Sequence, residues 1–94
     1  MKREVRLSPR ARNDIDRLVN FLIEKNPGAS RRVRATLVKA LTSLDELADR
    51  GRTGPTPDLR ELPIRFGHGG YVIQYRVDAD RVVVAHIFHT LEGG

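Results

Sequence analysis

The sequence predicts an α+β domain of order β-α-α-β-β-β, a mostly antiparallel sheet with a helical hairpin packed on one face. Three observations carry this. Two apolar stripes at helical spacing each follow a capping residue and a proline, Ser8-Pro9 and Asn26-Pro27. Helices joined that closely must run antiparallel. The C-terminal third alternates with the period of a strand on both sides of a turn at Asp78 to Arg81. Such a hairpin needs cover on one face and the helices need a sheet beneath them, so one two-layer packing serves both. At 94 residues the chain makes one domain, residues 1–94, with a single modest core.

Glu4 to Leu7 reads as a short strand with Val5 and Leu7 on one face. Ser8 is a good N-cap and Pro9 suits the first helical position. Ile15, Leu18, Val19, Leu22 and Ile23 then form one stripe. Asp14 and Asp16 fall near that helix's start, where its dipole favours anions. Asn26-Pro27 repeats the start signal, and Val33, Leu37, Ala40, Leu41, Leu44, Leu47 and Ala48 form the second stripe. Gly51 is expected to close that helix in the left-handed conformation. Gly51 to Asp58, with its glycines and prolines, is a loop.

Leu59 to Ile64 is short and extended, with Leu62 and Ile64 on one side and Glu61, Pro63 and Arg65 on the other. Pro63 lacks a donor and suits a sheet edge. Phe66 to Gly70 reads as a flexible turn. In the final hairpin Val77 faces Val82. One face then collects Tyr71, Ile73, Tyr75, Val77, Val82, Val84, His86 and Phe88 and should lie on the helices. The other collects Val72, Gln74, Arg76, Val83, Ala85, Ile87 and His89 and stays open. Residues 92–94 are expected to fray.

Composition excludes several classes. Without cysteine there is no disulfide and no thiolate metal site. No apolar run follows the basic N-terminal residues, and no stretch approaches the ~18–20 apolar residues of a membrane span. A soluble, cytoplasmic protein without membrane contact is expected. Seventeen Lys+Arg against twelve Asp+Glu leave a net charge of +5, and fourteen of those cations are arginine. Arginine favours planar, bidentate contact with carboxylate or phosphate. The balance fits an acidic partner, either nucleic acid or an acidic protein segment, or else a generally basic soluble surface. His68, His86 and His89 are scattered and make no zinc set. Gly51 to Asp58 is no P-loop, since no Gly-Lys-Ser/Thr follows. Neither metal nor cofactor is expected.

The stretches VRLSPRARNDIDRLVNFL, NPGASRRV, LRELPIR and YVIQYRVDADRVVVAHIFH span Val5 to His89. In this order they resemble the ParE branch of the RelE/ParE toxin superfamily. The resemblance implies a bacterial toxin of a type II toxin–antitoxin pair, acting in growth arrest and in plasmid or chromosomal maintenance. It also implies a ParD-like antitoxin whose C-terminal segment wraps the toxin in a hetero-oligomer. The superfamily divides by target: RelE-like members cleave mRNA on the ribosome, and ParE-like members act on DNA gyrase.

Cleavage of RNA through its 2′-hydroxyl needs a base, an acid and cations on the phosphate. Carried onto this chain, the lysines of RelE-like ribonucleases fall at about Glu61 and Pro63 and an arginine falls at Val72. Their C-terminal arginine falls near Glu92, with no tyrosine after it. None of these residues can stabilise phosphate charge. The expectation is a toxin that binds DNA gyrase and has no catalytic residues. The alternatives are a ribosome-dependent mRNA endonuclease using Arg65, Arg76 and His89, and an inactive binding module of the same fold.

Candidates for contact with the target are Arg60, Arg65, Arg76 and His89, on or around the open sheet face. Candidates for contact with the antitoxin are Leu18 and Phe21 on the first helix, and Arg31, Arg34 and Val38 on the second. Phe21 lies off the main stripe and either caps the core or offers an apolar edge to an antitoxin helix. Arg31 to Arg34 form a solvated face, or else meet DNA or acidic antitoxin residues. Charge pairs of that kind set association rate more than affinity. His89 reads as a polar rim residue, His86 as a hydrogen-bonded core histidine and His68 as solvated.

Overall fold

In the computed structural model, which describes residues 2–92, the first strand turns straight into a helix at Ser8. β1 is Glu4–Leu7 and α1 is Pro9–Ile23. The Ser8 side chain accepts from the Ala11 amide at 3.0 Å, as an N-cap should. Its hydroxyl also donates to the Ala85 carbonyl at 3.0 Å, which ties the helix start to the last strand. α2, Pro27–Ser43, starts in the same way, with Asn26 accepting from the Ala29 amide at 3.0 Å. Ala11, Ile15, Leu18, Val19, Val33, Leu37, Ala40, Leu41 and Leu44 are buried between the hairpin and the sheet. Ile23 is exposed instead, because it lies roughly 90° around the helix from the centre of the α1 stripe.

The second helix stops earlier than its apolar pattern predicts. After Ser43 come a turn and a single 3-10 turn at Ala48–Arg50, so Leu44 and Ala48 are buried while Leu47 is 57% exposed. Tyr75 fixes the segment that follows. Its buried hydroxyl donates to the Ala48 carbonyl at 2.7 Å and accepts from the Gly51 amide at 2.9 Å. Those backbone groups are thereby taken from any continuing helix. Gly51 is extended (φ −76°, ψ 153°) rather than left-handed. Glycine is needed there because a Cβ would lie 2.9 Å from carbons of the Tyr75 ring. Tyr75→Phe leaves both partners unsatisfied and is expected to cost about 2 kcal/mol. Urea denaturation would show this as a lower midpoint at unchanged slope, and an unchanged midpoint would contradict the role given to the hydroxyl.

Four further strands complete the sheet: β2 Arg52–Thr53, β3 Arg60–Phe66, β4 Gly69–Val77 and β5 Arg81–His89. The order is β1-β5-β4-β3-β2, with β1 parallel to β5 and every other pair antiparallel. The short β2 lies inside the segment expected to be loop. It pairs only with Arg60 and Glu61 of β3, so Pro63 lies beyond it on the sheet edge. The β3–β4 turn has only Gly67 and His68 at its centre, and Gly67 is left-handed (φ 59°). A positive φ at the first central residue alone is the II′ geometry that matches strand twist.

The final hairpin departs from the expected register. Val77 faces Val82, Arg76 faces Val83 and Tyr75 faces Val84 as predicted. A bulge then leaves Ala85 without a partner, and Gln74 faces His86, Ile73 faces Ile87, Val72 faces Phe88 and Tyr71 faces His89. One extra residue exchanges the faces of everything beyond it. Ile87 and His89 therefore turn toward the helices, and His86 and Phe88 turn to the other face beside Gln74 and Val72. The bulge lies where Ser8 takes the Ala85 carbonyl and α1 departs from the edge of β5. Of the expected C-terminal fraying, residues 93 and 94 lie outside the described residues, while Glu92 is anchored in the groove described next.

Candidate partner-binding groove

α1 presents Leu18, Phe21 and Leu22 toward one end of the sheet, where Tyr71 of β4 and His89 of β5 meet them. Leu91 and Glu92 close the far side. The result is an open groove of ≈ 510 Å³, mostly apolar. Leu18 is buried on the floor, whereas Phe21 is 64% and Leu91 89% exposed on the walls. Two large apolar side chains left in water beside one groove mark an interaction site rather than a finished surface. Lys25 places its ammonium 4.0 Å above the Phe21 ring, a cation–π contact at the groove's rim.

The polar groups of the groove hold its walls in place. Arg17 pairs with Glu92 and also reaches Asp14 at 3.4 Å. Glu92 accepts from the His89 amide at 2.7 Å. Burial opposes ionisation of Glu92, but the His89 amide and Arg17 outweigh it and hold the carboxyl below its usual range. The Tyr71 phenol is pushed up by burial and by Glu92, so it stays neutral. His89 stacks edge-on against Tyr71 at 5.2 Å, and its Nδ1 accepts from the Leu91 amide at 3.0 Å. The histidine is a structural rim residue that shapes the C-terminal turn.

Of the two predicted sets, the structure brings Leu18, Phe21 and His89 together and separates the rest. Arg31, Arg34 and Val38 are exposed on α2, none of whose residues lines the groove. Arg65 and Arg76 are exposed on the open face, but Arg65 faces Gly70, six residues along β4 from Arg76. That separation is roughly 20 Å. Two residues leave the expected face. Arg60 lies opposite Tyr75 on the helix side, by the alternation that also sends Leu62 inward, and contacts Asp49 at 3.5 Å. His89 is turned to the helix side by the bulge.

The positions that would carry a ribonuclease's cations are likewise committed. Glu61 binds Gln74 at 2.8 Å and Arg52 at 3.5 Å, Pro63 faces a buried Val72, and Glu92 is held by Arg17.

Asp14 is the residue that sequence reasoning misplaced. It does not serve the helix dipole. It is 6% exposed and points at β5 beyond the end of β1. Its Oδ2 accepts from His86 Nδ1 at 2.7 Å and from the Ile87 amide at 2.9 Å, closing an otherwise open strand edge. Arg10 lies 3.3 Å from His86 Nε2. A guanidinium only donates, so Nε2 accepts and Nδ1 carries the hydrogen given to Asp14. The available signal was a carboxylate on the buried face, between Ala11 and Leu18.

Among the described residues no group of three or more His, Cys, Asp or Glu is placed to hold a metal, and no helix is long and apolar enough to cross a membrane.

Comparison with known proteins agrees with the architecture. The family described as ParE toxin of type II toxin-antitoxin system, parDE, matches residues 5–93. Toxin RelE1 of Caulobacter vibrioides is 45% identical over 89 residues, covering 94% of both chains. Toxin RelE3 of the same organism is 40% identical over 90 residues, covering 96% of this chain and 97% of its own. A solved structure of a chromosomal ParDE toxin–antitoxin system from P. aeruginosa superposes with a TM-score of 0.82 at 16% identity, over 94% of this chain and 96% of that one. At that identity the likeness is one of fold.

Proposed function

Because the chain belongs to the ParE toxin family of type II toxin–antitoxin systems, we propose that it acts by binding DNA gyrase, without covalent chemistry of its own, and that an antitoxin segment neutralises it in the groove beside α1. Membership of a toxin–antitoxin family implies an antitoxin partner. The observation that carries the reading is the contrast between two regions. The only cations from the proposed ribonuclease set that share a face, Arg65 and Arg76, stand far apart, while His89 lies on the opposite face. The groove, by comparison, is assembled, apolar and open. Burying Phe21 and Leu91 under a partner would contribute about 1.5–3 kcal/mol each.

Two relatives named RelE favour a second reading, ribosome-dependent cleavage of mRNA. Primer extension in a translating extract separates the two. Binding to gyrase leaves mRNA intact when the purified protein is added. New 5′ ends at ribosome-occupied codons, lost in His89→Ala, would establish the ribonuclease instead.

A further inference from the structure

The charge of this protein is not spread over its surface. α2 carries Arg31, Arg32, Arg34 and Lys39 and no acidic residue, so one helix holds +4 of the net +5. The other thirteen cations and twelve anions nearly cancel. Seven of those thirteen cations are paired: Lys2 with Asp45, Arg6 with Glu4, Arg17 with Asp14 and Glu92, Arg52 with Glu61, Arg60 with Asp49, Arg76 with Asp78 and Arg81 with Asp80. Among the described residues none of the four α2 cations has a carboxylate within ion-pair distance, and all four are exposed.

Their placement around the helix is informative. At ~100° per residue, Arg34 marks one side of the outer face and Arg32 and Lys39 the other, an arc of about 160°. Between them run Arg31, Ala35, Val38 and Thr42, all exposed. From Ala35 to Thr42 the centre of the face is thus uncharged, with Arg31 at its N-terminal end and cations on both flanks. An acidic peptide lying along the helix would meet Arg31 and the uncharged strip and reach only one flank. The major groove of a DNA duplex is ~12 Å wide with a phosphate wall on each side, and it presents charge to both flanks at once. Ala35, Val38 and Thr42 can make no bidentate contact with a base, so with Arg31 engaged on phosphate the contact would be independent of sequence.

We infer that the outer face of α2 is a second binding surface, which grips the phosphate backbone of duplex DNA. It is distinct from the groove, since no α2 residue lines the groove, and it does not depend on the identity of the toxin's target.

Fluorescence anisotropy of the full chain with a short labelled DNA duplex of arbitrary sequence tests this. Four phosphate contacts give a slope of log K against log salt of about −3.5. Arg31→Glu/Arg34→Glu/Lys39→Glu should weaken binding by at least about tenfold at low salt and flatten the slope. Lys2→Glu/Arg12→Glu/Arg81→Glu makes the same change in net charge elsewhere and should cost less than about threefold. All six changes are at surface positions, and circular dichroism checks that both variants stay folded. Equal losses in the two variants would show that net charge alone acts, and overturn the assignment to α2. So would absence of duplex binding at low salt. Displacement of the duplex by poly-glutamate at lower charge concentration would assign the face to an acidic peptide and also overturn the proposal.

Discussion

Phe21→Glu is expected to weaken antitoxin binding by at least about a hundredfold, and the double change Phe21→Glu/Leu91→Glu to abolish neutralisation. Each substitution removes about 1.5–3 kcal/mol of apolar burial and sets a carboxylate where a partner must exclude water. The fold should be unaffected, because Phe21 and Leu91 already stand in solvent. Phe21→Glu even places a carboxylate four residues before Lys25, a pairing that stabilises a helix by a few tenths of a kcal/mol and roughly replaces the lost cation–π contact. Calorimetric titration with the cognate antitoxin reads the affinity and thermal unfolding reads the fold. Wild-type affinity in the double variant would remove the groove as the neutralisation site.

Asp14→Ala is expected to be strongly destabilising, at about 3 kcal/mol and a fall in Tm on the order of 15 °C. It leaves two buried donors, His86 Nδ1 and the Ile87 amide, without an acceptor. Asp14→Asn keeps one acceptor oxygen and should cost less.

The pH dependence follows from the direction of the shift. Burial raises the Asp14 carboxyl, but the Ile87 amide, His86 and Arg17 outweigh it and hold the carboxyl below its usual value. A lowered folded value means the unfolded chain binds the proton more readily. The contribution is therefore full above the unfolded value of about 3.9 and is lost as pH falls through the lowered folded value. Glu92 titrates in the same direction. Urea denaturation of wild type should lose more stability than Asp14→Asn between about pH 5 and 2. Parallel acid limbs would show that Asp14 is not held ionised.

Much of this architecture is local and hence legible in the residues alone. Ser8-Pro9 and Asn26-Pro27 cap their helices through contacts three residues away. The turn at Asp78 sets the first three pairs of the last hairpin. What was not legible is long-range. The bulge at Ala85 lies where the Ser8 hydroxyl takes the Ala85 carbonyl, and alternation carries no mark of it. The 3-10 turn after α2 is held by the Tyr75 hydroxyl, which reaches across from the sheet. Asp14 looked like a dipole partner because its true partners, His86 and Ile87, stand at the other end of the chain.

The groove was half visible. Phe21 stood out as an apolar residue off its stripe, and Leu18 stood beside it. That Tyr71, His89 and Leu91 converge on them required the topology and the bulge, since the unbroken register turns His89 the other way. Arg60 was misassigned for a simpler reason: its alternation with Leu62 already placed it on the helix side.

Inhibition of purified DNA gyrase is the measurement that bears most directly on how this protein acts. Supercoiling of relaxed plasmid in the presence of ATP should fall as the toxin is added and recover when the cognate antitoxin is included. Full supercoiling at a large excess of toxin, alongside new mRNA cuts in a translating extract, would contradict a gyrase-binding toxin and assign it ribonuclease chemistry.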